Sequence, residues 1–382
     1  MRAERSLSGR DPATGRPMTV TVRDGLISAV EDGPRGEGHW ISAGLVDLQV
    51  NGFGGHDLNA PGLTAETVIG LARSLQRQGV TTFLPTLITA EHEKISHALT
   101  VIAEARRTDP LAAHAIPYVH LEGPHISPQE GPRGVHDERN IRPPSPVEFD
   151  AWQNACGGLV GMVTLSPHYP GSTTYIAELV SRGVHVAIGH THADPEQIHA
   201  AARAGARLST HLGNGAHAVL PRHPNYLWSQ LADDDLTACL IADGHHLPPD
   251  TLTVMIRAKG LDRSILVSDA VAVAGLPPGR YRTPVGGSVE LHDDGRLVAA
   301  GIPYLAGAAR SLADGVAHTV RATGLSLAQA LRLATVQPGR FAGGRGRLEV
   351  GQPADLIRFT HAPGDRELGI DTVWVAGQDT PG

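Results

Sequence analysis

The chain has two cysteines, Cys156 and Cys239, in 382 residues. That is too few for a disulfide framework, so a packed core has to supply the stability. Lysine is equally scarce: Lys94 and Lys259 stand alone, and arginine supplies the rest of the 32 basic residues. No window approaches the roughly 18 apolar residues of a membrane span, and the opening MRAERSLSGRDPATGRP has no apolar signal core. Long runs of one charge are missing, and the net charge is -7. That argues against nucleic acid or an anionic membrane as the main partner. Internal repeats, low-complexity tracts and a glycine-rich phosphate loop are absent as well. The expectation is a cytoplasmic enzyme acting on a small molecule.

What the chain does have is histidine, 21 in all, which directs attention to metal and acid–base chemistry. Its apolar fraction of 41% and charged fraction of 19% are those of an ordinary globular protein. MTVTVRDGLISAVEDG (18–33) reads as a hairpin turning at Asp24-Gly25. From LVDLQV onward, strands alternate with helices. Eight strands are expected, at 45–50, 80–88, 114–122, 158–166, 184–190, 206–212, 236–243 and 264–269. Helices are expected at 64–79, 90–107, 172–183, 194–205 and near 325–343, the fourth capped by Asp194 with Pro195 in its first turn.

Eight strands alternating with helices predict a (β/α)8 barrel. A doubly wound open sheet fits less well, given the count and the missing phosphate loop. The last strands (346–378) can pair with residues 1–40, giving a small β-sandwich domain from both termini. The division expected is 1–42 and 341–382 for that domain and 43–340 for the barrel. The segment 127–146, rich in proline and glycine, is too long for a simple connector and is expected to be functional or disordered.

Active sites of such barrels lie at the C-terminal strand ends. Polar residues there are Gln49 and Asn51, Glu122, His190 and His192, His211 and Asn214, Asp243, His245 and His246, and Asp269. Glu122, in HLEGPH, is a carboxylate at the last buried position of a strand, where a cation, donors or a job must justify it. Glu122, His190 and His211 form a two-histidine, one-carboxylate set of the kind that holds a catalytic metal and leaves a position open. Taken singly, each has a plainer reading: Glu122 paired with an arginine, His211 as a hydrogen-bonded core residue. Only one of the alternating His190 and His192 can face the barrel interior with its strand. Asp269, in VSDAV, is the acid–base candidate, or a helix N-cap. His136 sits in the long loop, and Arg222 is a surface residue or an anion clamp. One of His245 and His246 is a bystander.

The pieces VDLQVNGFGG, HLEGPH, GVH, GHTHA, THLGN, IADGHH and VSDA occur in this order, and together the chain resembles the N-acetylglucosamine-6-phosphate deacetylases of the amidohydrolase superfamily. The resemblance runs from the N-terminal hairpin through QPADLIRF. It implies that Glu122, His190 and His211 hold the metal and that Asp269 is the general acid/base. His136 would hold the acetyl carbonyl, and His246, Asn214 and Gly215 would contact the sugar. Arg222 would bind the sugar phosphate, reaching in from a neighbouring subunit of a dimer. Where many amidohydrolases carry His-x-His on strand 1, this chain has Gln49 and Asn51, and neither lysine lies at a strand end to bridge two metals. One divalent ion is therefore expected. The donors suit zinc, iron, manganese or cobalt, with zinc the expected ion.

The chain departs from the family pattern where substrate is read. Gly215-Ala216 replaces the usual Ala-Met, and His223-Pro224-Asn225 follows Arg222. Tyr226 and Trp228 stand where small residues are usual, and Leu305-Ala306-Gly307-Ala308 is preceded by GIPY. A deacetylase of an N-acetyl amino sugar is the main expectation. A hydrolase of another N-acyl or cyclic amide, acting on an unphosphorylated sugar or a cyclitol, remains beside it, as does a binding protein on a retired scaffold.

Overall fold

In the structure, a computed structural model in which residues 4–36, 38–284, 287–299 and 305–380 are described, eight parallel strands make one sheet. They are Leu45–Val50, Val80–Ile88, Val119–Glu122, Val160–Leu165, His185–Ile188, Leu208–Ser209, Thr237–Ile241 and Ser264–Val267. A parallel bridge between Val50 and Ala270 joins the last strand to the first and closes the barrel. All eight expected strands are present. Most are buried along nearly their whole length, which is why they read as apolar runs rather than alternating patterns.

Inside the barrel, Val46, Leu48, Leu84, Met162, Ile241 and Val267 belong to one packed cluster. A larger cluster fills the layer between strands and helices. The helices begin as their sequences dictate. Asp194 accepts the Gln197 N–H while Gln197 reciprocates, with Pro195 in the first turn of Pro195–Arg203.

Three differences from the sequence reading have physical causes. The third strand starts only at Val119, because Pro110–Ala115 is a helix capped by the Asp109 carboxylate. Helices Pro146–Cys156, Pro249–Lys259 and Leu312–Thr323 were not expected, although Ser145 and Ser311 cap two of them in the usual way. A three-stranded antiparallel sheet, Gly279–Thr283, Gly287–Leu291 and Leu297–Ala299, follows the last barrel strand and was also not foreseen.

The two termini form a seven-stranded sheet. Strands Arg5–Arg10, Pro17–Arg23, Leu26–Asp32 and Trp40–Ala43 join Leu356–Thr360, Gly369–Val375 and Gln378–Asp379. The expected hairpin turns at Asp24 and Gly25, both at positive φ. The sheet curls until Leu26 bridges Pro353, enclosing Leu7, Val20, Ile41, Leu356 and Trp374. A buried cluster ties it to the barrel. His114 Nε2 lies 2.8 and 2.9 Å from the two Asp355 carboxylate oxygens, which also accept from Arg345 and from the Ala376 N–H.

Candidate active site

The site residues lie just past the ends of the strands. Glu122 ends its strand; His190, His211 and Asp269 each stand two residues beyond theirs. At those three the backbone turns into positive φ, at 48°, 28° and 50°. Such conformations are costly for residues with a Cβ and persist where the surroundings over-determine them. The turn swings each side chain over the barrel mouth instead of continuing the ladder.

There the side chains meet. Glu122 Oε1 is 2.9 Å from His211 Nε2 and 3.2 Å from His190 Nε2, and the two imidazole nitrogens are 3.0 Å apart. His190 is oriented by its Nδ1, 2.7 Å from the Pro132 carbonyl. Gln49 Nε2 donates to Glu122 Oε1 at 2.8 Å, and Asn51 Nδ2 donates to Asp269 Oδ1 at 2.8 Å. Gln49 and Asn51 thus steady the two carboxylates. His120, two residues before Glu122, contacts Thr164 Oγ1 at 2.7 Å and the Leu48 carbonyl at 3.1 Å.

Electrostatics separate the groups. Burial alone would raise the Glu122 carboxyl, but hydrogen bonds from His190 and His211 hold it well below the usual carboxylate range. Burial would lower His211, but bonding to Glu122 lifts it to about 9. Asp269 is pushed up to about 7 by burial and by the nearby Glu122 charge. Burial, reinforced by His190, pulls His136 down to about 3. One carboxylate is therefore held charged and the other is poised near neutrality, a division expected of a ligand and a proton carrier.

The cluster opens into a cavity of about 460 Å³. His136, Asn214, Gly215, His246 and Asp269 all line it. His246 Nδ1 is 2.7 Å from Asp243 Oδ2, whereas His245 turns away to the Asp294 carbonyl. Burial would raise Asp243, but the His246 bond draws it down to about 2. The long loop supplies Gly131, Gly134, Val135 and His136 to the wall. Gly215 is at φ +54°, and a Cβ there would lie 2.7 Å from His190 Nδ1. A side chain at this position would therefore be strained and would press on the His190 ring.

Tyr226 and Trp228 do not form the pocket wall. Trp228 is 53% exposed, and Tyr226 is buried among core residues. Tyr226 acts at one remove: its Oη accepts the His217 N–H at 2.9 Å and sits 3.0 Å from His217 Nδ1. His217, unremarked in the sequence, does line the cavity. Arg222 is exposed and is not among the residues lining the cavity of its own chain. GIPY (301–304) lies outside the described residues. Thr89 was also missed; its hydroxyl is 2.8 Å from His136 Nδ1. Nothing local in the sequence marks it, because its partner is 47 residues away.

A closed (β/α)8 barrel with a buried Glu-His-His cluster and a poised aspartate at its C-terminal end defines a metal-dependent hydrolase. The comparisons agree. The amidohydrolase family model matches residues 40–379. N-acetylgalactosamine-6-phosphate deacetylase of Escherichia coli O157:H7 is 31% identical, with 94% of this chain and 93% of that protein covered. N-acetylglucosamine-6-phosphate deacetylase of Vibrio furnissii is 30% identical, covering 99% and 94%. The crystal structure of N-acetyl-D-glucosamine-6-phosphate deacetylase from Mycobacterium smegmatis superposes with a TM-score of 0.87 at 29% identity, covering 98% and 99%. The chain belongs to the amidohydrolase family, in its branch of N-acetylglucosamine-6-phosphate deacetylases.

Proposed function

We propose that the protein hydrolyses the N-acetyl group of an N-acetylated amino sugar 6-phosphate, releasing acetate and the free amine. The carrying observation is the convergence of Glu122, His190 and His211 beside Asp269 in one cavity. Three buried donors, with His190 held through its other nitrogen, fit a divalent ion, for which zinc is our reading. An ion bound there supplies Lewis-acid activation of water and of the amide carbonyl.

The chain's own residues do the rest. Asp269, raised to about 7, accepts the proton of the attacking water and returns it to the leaving amine. His136 stays neutral. With Thr89 donating to Nδ1, its Nε2–H is directed at the oxyanion that forms on the substrate carbonyl. Asn214, Gly215 and His246 position the sugar. In the homodimer of our reading, Arg222, exposed outside its own cavity, reaches the phosphate in the neighbouring subunit. Two free, buried cysteines support a cytoplasmic setting. Among the described residues no helix is long and apolar enough to cross a membrane.

The test is acetate release from N-acetylglucosamine 6-phosphate and N-acetylgalactosamine 6-phosphate beside the unphosphorylated sugars, with Asp269→Asn as control. Turnover of a phosphorylated sugar, lowered in the control by about 10²-fold or more, is expected. Arg222→Ala should raise KM for that sugar alone. Failure on all four sugars with metal bound would refute the reading and favour another amide.

A further inference from the structure

A sugar phosphate brings about two negative charges into a cavity that, among the described residues, no arginine or lysine lines. The side chains there that can carry positive charge are histidines. His136, His190 and His211 stand at the metal cluster, and His246 is engaged by Asp243. That leaves His217, half-buried, with a ring contact that is open to solvent. Gly215 packs against the His190 ring, and two residues on the chain has reached His217 at the rim. The long loop meets it there: a Cβ on Gly131 would lie 2.9 Å from the His217 Cα. In an amino pyranose, C2 and C5 are opposite corners of the ring. An acetamide on C2 held at the metal cluster therefore directs the C6 phosphate away from the cluster, toward the rim.

We propose that His217 is a specificity-determining residue that binds the substrate phosphate through Nε2–H. The assignment rests on the reading of the substrate as a sugar 6-phosphate and adds a residue to it. Tyr226 prepares the ring. Its Oη accepts the His217 backbone N–H at 2.9 Å and lies 3.0 Å from Nδ1. Burial raises the phenol, which keeps its proton and donates it to Nδ1. The neutral imidazole therefore carries its own proton on Nε2, where Gln129 Oε1 accepts it at 3.0 Å. Gln129 is exposed, so water replaces its bond at little cost. A phosphate oxygen is the stronger acceptor, because a hydrogen bond to a charged group is roughly twice as strong as a neutral one. Gln129 holds the donor in the free protein and yields it to substrate.

The experiment titrates the full-length, metal-loaded protein calorimetrically with glucosamine 6-phosphate and with glucosamine, so that no turnover is needed. Wild type should prefer the phosphorylated sugar, and His217→Ala should cut that preference by about 10-fold or more. His217→Gln, which returns an N–H near the Nε2 position, should restore most of it. Gln129→Ala removes the competing acceptor and should keep or raise the preference. An unchanged preference in His217→Ala overturns the proposal. So does a loss in Gln129→Ala equal to that in His217→Ala, which would mean a purely structural tie between the two loops. If His217→Ala melts early, His217→Asn decides: it keeps a partner for Tyr226 but has no donor at the Nε2 position, and an unchanged preference there overturns the proposal. Acetate release separates this assignment from the functional reading. A protein that deacetylates the phosphorylated sugar with a preference indifferent to His217 refutes only the assignment. A preference that falls in His217→Ala, in a protein that deacetylates no sugar, refutes only the assigned reaction.

Discussion

Asp47→Asn tests how the barrel closes beneath the site. Asp47 is fully buried. Its Oδ1 accepts the Gln49 N–H at 3.3 Å and the Ser268 N–H at 3.1 Å, so it clamps the first strand to the last. Oδ2 is buried with no hydrogen-bond partner among the described residues. Burial pushes the carboxyl up from 3.8 to about 6, with the Ser268 and Gln49 bonds limiting the rise. The folded protein therefore holds this proton more tightly than the unfolded chain. Stability falls as pH rises from about 4 to 6, and the loss is complete above that window. Two units at about 1.4 kcal/mol each make a penalty of about 3 kcal/mol at pH 8. Asparagine keeps the accepting oxygen and removes the charge. Urea unfolding should find Asp47→Asn more stable by about 3 kcal/mol at pH 8 and nearly equal to wild type at pH 4. A gap independent of pH, or a less stable variant at pH 8, would refute the reasoning.

Further outcomes follow from other contacts. Tyr226→Phe removes both bonds to His217 and should cost about 1–2 kcal/mol in melting experiments, raising KM more than it lowers kcat. Gly215→Ala forces a Cβ to 2.7 Å from His190 Nδ1 at positive φ; a cost of about 1–3 kcal/mol and weaker metal retention on dialysis are expected. Asp355→Ala strips His114, Arg345 and the Ala376 N–H of a buried partner and should destabilise by about 3–5 kcal/mol by urea unfolding. Equal stability would mean that the small sheet and the barrel do not depend on this cluster.

The eight barrel strands and the first helices were legible because their signals are local. Apolar runs, Asp194-Pro195 and Asp24-Gly25 each act within a few residues. The candidate donors were legible for a related reason. A polar residue just past an apolar run is conspicuous, and a barrel gathers all such positions at one end. The small sheet of Gly279–Thr283, Gly287–Leu291 and Leu297–Ala299 was not legible, because short antiparallel strands take their stability from one another.

By itself, the sequence determined the alternation of elements, the histidine-and-carboxylate set and the glycines that turns and close approaches demand. Only the tertiary structure decided which atoms meet. It made Gln49 and Asn51 the donors that steady Glu122 and Asp269, chose His246 over His245, turned Trp228 outward and brought Thr89 to His136. The physical reason is distance along the chain. Chemistry at the site depends on ångström-scale contacts between residues tens to hundreds of positions apart, and closing the barrel is what brings them together.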